Sequence, residues 1–110
     1  MTIASLTPEE REVVHRAMEA TFRYFDADFH TRLGIEPAAM RSLLAAWPID
    51  ESQDESDACL AVNNSLNDLL HGIGIGETEA LEFVGVTRAE LGRIYAKWAA
   101  ARGWDKTGAR

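Results

Sequence analysis

Cysteine occurs once in this chain, at Cys59, so no intrachain disulfide can form. That excludes a disulfide-stapled scaffold and points to a reducing compartment. Long apolar runs are missing too: no stretch reaches the roughly 18 residues that a membrane-spanning helix needs. The opening, "MTIASLTPEEREVV", has neither the basic start nor the apolar centre of a signal peptide. The expected location is therefore the cytoplasm, with no membrane partner. Proline occurs three times, at positions 8, 37 and 48, and no strand-like alternation of polar and apolar residues occurs. Basic residues are few, 11 against 18 acidic ones, for a net charge of −7. Such a surface repels phosphate and opposes non-specific DNA binding.

What is present is ample apolar content, 46% of 110 residues, enough for one domain with its own core. The apolar period is three to four throughout. Thr7, Pro8 and Glu10 form a helix start with capping-box spacing. Val14, Met18, Phe22, Phe25 and Phe29 then share one face, which predicts a long helix from about Pro8 to Thr31, with Gly34 near its end. A second helix begins at Pro37, buries Met40, Leu43, Leu44 and Trp47, and stops at Pro48. An acidic loop follows, with Ser52 or Ser56 as the next cap. A third helix carries Cys59, Val62, Leu66, Leu69, Leu70 and Ile73 on a broad stripe that Gly72 can close. "GIGIG" at 72–76 is a connector. Thr78 caps a short fourth helix, Gly85 makes a turn, and Thr87 caps a fifth helix with Leu91, Ile94, Tyr95 and Trp98 inward. Gly103 ends it, and "WDKTGAR" is a tail. The expected fold is an all-α bundle of four or five helices, the first longest and the third and fifth central. Trp47 and Trp98 are expected in the core and Trp104 nearer solvent.

Charge is unevenly spread. Residues 1–84 hold 16 acids and 5 bases, whereas residues 85–110 hold 2 acids and 6 bases. A basic end of this kind suits nucleic acid, or an acidic surface in the same chain or a second copy.

Residues 77–96 carry a further pattern. With Gly85 as the turn, apolar residues fall at Ala80, Val84, Val86, Leu91 and Ile94. This stretch resembles the helix-turn-helix of bacterial regulators. The resemblance spans about twenty residues. It implies a reading helix whose Thr87, Arg88, Arg93 and Lys97 contact DNA. Leu81 stands where that motif takes a small residue, and Gly92 lies inside the reading helix. The competing reading is a helical hairpin with a glycine turn, its basic face set against the acidic first helix.

Asn63, Asn67 and His71 lie at i, i+4, i+8, with Asn64 alongside, forming a polar seam beside the third helix's apolar stripe. Buried amides must find partners, so the seam either fixes helix packing or recognises a ligand or partner. Glu12/His15 and Asp68/His71 are carboxylate–imidazole pairs at i, i+3, a spacing that resembles di-iron bundles. Two further inward carboxylates are lacking, so no metal and no cofactor is expected. Asp26 and His30, at i, i+4, read as a solvated helix pair, and Cys59 as a buried apolar residue. No catalytic set is assembled. The favoured function is a non-enzymatic regulatory or protein-interaction module that binds a partner or itself. A DNA-binding regulator is the alternative, and a small-ligand or metal-binding bundle the third reading.

Overall fold

A computed structural model describes residues 3–103. Among these residues there are helices and turns and no strand, so the all-α expectation holds. The first helix, α1, runs Pro8–Tyr24 behind a reciprocal cap. Thr7 Oγ1 accepts the Glu10 N–H at 3.1 Å, and the Glu10 carboxylate accepts the Thr7 N–H at 2.9 Å.

α1 is shorter than its apolar spacing predicts. Phe25 turns to extended backbone (φ −123°, ψ 140°), and a separate helix, α2, spans Phe29–Leu33. The cause is local polar competition joined to burial. The Asp28 carboxylate accepts the Asp26 N–H at 3.2 Å, holding a turn in place of the helix. The break lets Phe25, Phe29 and Leu33 all enter the core, and Phe22 stacks on Phe29 at 4.9 Å.

The next helix, α3, spans Pro37–Ala45 and buries Met40. Trp47 lies past its end and is only half-buried, tilted against the His15 ring at 5.0 Å. The expectation of a core tryptophan at this position is corrected: the helix stops too early to carry the side chain inward. Ser56, not Ser52, caps α4 (Asp57–Asn67), its Oγ accepting the Cys59 N–H at 3.1 Å. α4 continues into a wide turn, Asp68–Gly72, where the Ile73 N–H reaches back five residues to the Asp68 carbonyl at 2.9 Å. Gly72 leaves room there for the Asp68 carboxylate that Arg32 holds. A Cβ at this position would stand 1.6 Å from Asp68 Oδ1.

α5 is one turn, Glu77–Glu79, and it starts one residue before the expected cap Thr78. Gly76 precedes it, and the Glu79 carboxylate accepts the Gly76 N–H at 3.2 Å. A second wide turn, Ala80–Val84, follows and ends at Gly85, whose φ of 94° favours glycine. α6 spans Arg88–Ala101, capped by Thr87.

α4 is central, packed by α1, α2, α3 and α6, with Cys59, Val62 and Leu66 buried, and Leu69 is buried in the wide turn that follows it. α6 is not central. It lies on the flank, sending Leu91, Ile94 and Trp98 inward while Ala89, Ala96 and Ala100 face solvent. One acid of the expected loop is misplaced by sequence alone. Glu51 is fully buried, and its Oε2 accepts the Ile3 N–H at 2.6 Å and the Trp98 indole N–H at 2.7 Å. Arg102 lies over the Trp98 ring and donates to the Glu51 carbonyl at 2.6 Å and to Asp54. This cluster fastens the N-terminal turn (Ile3–Ser5), the loop and α6 together. No helix among the described residues is long and apolar enough to cross a membrane. Trp104 lies outside the described residues.

Candidate functional site: a groove between α4 and α6

Surface helices ordinarily turn charged residues outward. α6 does so on one side only. The side toward α4 carries Ala89, Gly92, Ala96 and Ala99, recurring at steps of three and four. These small side chains leave a groove of about 790 Å³ between α6 and the end of α4. Leu70 forms part of its wall and Tyr95 lends a ring. The wide turn at Asp68–Gly72 brings Leu70 and His71 to the groove. Asn67, His71, Glu77 and Arg88 are its polar groups. Nothing lies within 4 Å of a Cβ built on Gly92, so the space above it is open.

The predicted seam divides here. Asn67 and His71 reach the groove. Asn63 is buried beneath it and accepts the Tyr95 O–H at 2.6 Å. Asn63 Nδ2 donates to Asn64 Oδ1 at 2.9 Å, and Asn64 Nδ2 donates to the Leu33 carbonyl at 2.8 Å. This relay ties α6 to α4 and α2 and sets the position of the Tyr95 ring. Burial raises the Tyr95 phenol above its ordinary value, so it stays a donor at neutral pH.

The basic residues of α6 are placed differently from one another. Arg93 Nη2 donates to Glu10 at 2.8 Å and to Glu90 at 2.6 Å, and Lys97 Nζ donates to Glu10 at 2.7 Å. Glu10 is buried, and Lys97, the Thr7 N–H and Arg93 hold its carboxyl down at about 2. Thr87 spends its hydroxyl on the Glu90 N–H at 3.0 Å. Arg88 stands apart: its Nη2 donates to the Leu70 carbonyl at 3.2 Å, and it lines the groove. The glycine turn at Gly85 is formed as the helix-turn-helix resemblance implies. However, Leu81 is 51% exposed, so no crossing helix covers it. The Ala80–Val84 turn packs on α1, and α6 packs on α4.

The carboxylate–imidazole pairs are not brought together. Asp68 is held by Arg32 at 2.8 and 3.0 Å, and His71 faces the groove. Glu12 is exposed, and His15 lies against Trp47. Asp26 falls in the break after α1, which removes its helical spacing to His30. His30 instead approaches Glu36 at 3.8 Å. Among the described residues no group of three or more His, Cys, Asp or Glu could hold a metal ion.

Sequence reasoning missed Ala89, Gly92, Ala96 and Ala99. Their spacing was a readable signal, but small residues count weakly in an apolar stripe. No protein-family model, curated protein or solved structure matches this chain.

Proposed function

We propose that this protein is a non-enzymatic helical interaction module, acting in the cytoplasm, whose recognition surface is the groove between α4 and α6. The observation that carries this reading is the outward face of α6. A helix whose solvent side is charged on one flank, at Glu90, Arg93 and Lys97, and small and uncharged on the other, at Ala89, Gly92 and Ala96, is suited to being covered along the second flank. The groove lies within the size range of binding clefts, and its few polar groups can orient what enters. Small residues let a partner helix approach to about 8 Å between axes.

The DNA-binding reading draws less support. Two of its four contact residues, Arg93 and Lys97, are engaged by buried Glu10, and Thr87 is engaged as a cap. Arg88 alone of the four belongs to the groove.

Site-specific photo-crosslinking tests the proposal. A benzophenone side chain replaces Ala96 in the groove, or Ala38 on α3, which contributes nothing to the groove. In living cells the probe at 96 should give a discrete protein adduct and the probe at 38 none. Absence of any adduct at 96 would refute the reading.

A further inference from the structure

We draw no further inference here: the strongest candidate, the groove between α4 and α6 with its open wall of Ala89, Gly92 and Ala96, belongs to the site already described, and nothing in the structure shows what covers it.

Discussion

Replacing Glu10 by glutamine removes one negative charge from the point where α1 and α6 meet. The amide oxygen can still accept the Thr7 N–H, so the helix cap is largely kept. What is lost is the attraction of the carboxylate for Lys97 at 2.7 Å and Arg93 at 2.8 Å. In the folded protein the Glu10 carboxyl sits at about 2, against 4.5 ordinarily. Taken at face value that shift corresponds to about 3 kcal/mol. Arg93 and Lys97 are 52% and 39% exposed, so solvent screens the pairs. After that discount, about 1–2 kcal/mol is expected at neutral pH. For a domain of this size that is a fall in Tm of about 5–10 °C. The sign with pH follows from the depressed value. The contribution is present in full above the unfolded-state value near 4.5, and it disappears as pH falls from there toward 2. Urea unfolding of wild type and Glu10→Gln at pH 7, 4 and 2.5 measures this. Comparing the two proteins cancels the other carboxylates. The gap should be widest at pH 7, narrow by pH 2.5, and shrink in high salt. A gap that is absent at pH 7, or that keeps its size at pH 2.5, would refute the assignment of Glu10 as the anchor of α6.

Trp98→Ala removes a fully buried ring and one of the donors to the Glu51 carboxylate, so it should cost about 3–5 kcal/mol. Trp47→Ala should cost clearly less, and calorimetry of the two variants orders them. Gly85→Ala should destabilise, because φ is 94° and its Cβ would meet Arg16 at 2.4 Å. Gly92→Ala should be neutral or stabilise by up to about 1 kcal/mol, since it adds helix propensity in open space. A thermal melt that reverses this pair would show the Gly85 turn to be misassigned. Tyr95→Phe breaks the bond to Asn63 and should cost about 1 kcal/mol, with an Asn63 side-chain amide shift visible by NMR.

Much of the fold was legible because its signals are local. Thr7 with Glu10, Pro37, and Thr87 mark helix starts by chemistry that acts within one turn. The break after Tyr24 was hidden because Phe22, Phe25 and Phe29 fit a continuous helical face just as well. What ends it is the turn in which the Asp28 carboxylate accepts the Asp26 N–H, a bond that apolar spacing does not record. Glu51 was unreadable for a related reason. Its partners, Ile3 and Trp98, lie 48 and 47 residues away, and nothing beside it in sequence marks it as buried. The two wide turns, at Asp68–Gly72 and Ala80–Val84, leave no pattern in composition. Asn67 and His71, two of the three residues of the polar seam read from sequence, line the groove, whereas the third, Asn63, is buried beneath it. The groove's small residues were not legible, because alanines and a glycine gain importance only when a neighbouring helix end leaves space over them.

The central claim is that the α4–α6 groove is covered when the protein works. Histidine modification by diethyl pyrocarbonate reads this directly. His71 lines the groove, and His30 is exposed elsewhere on the same chain. Labelling is compared between dilute purified protein and fresh lysate of the cells that make it, with each site quantified by mass spectrometry. The account predicts that His71 is labelled in the dilute protein and protected in the lysate, while His30 reacts equally in both. Equal labelling of His71 under the two conditions would contradict it.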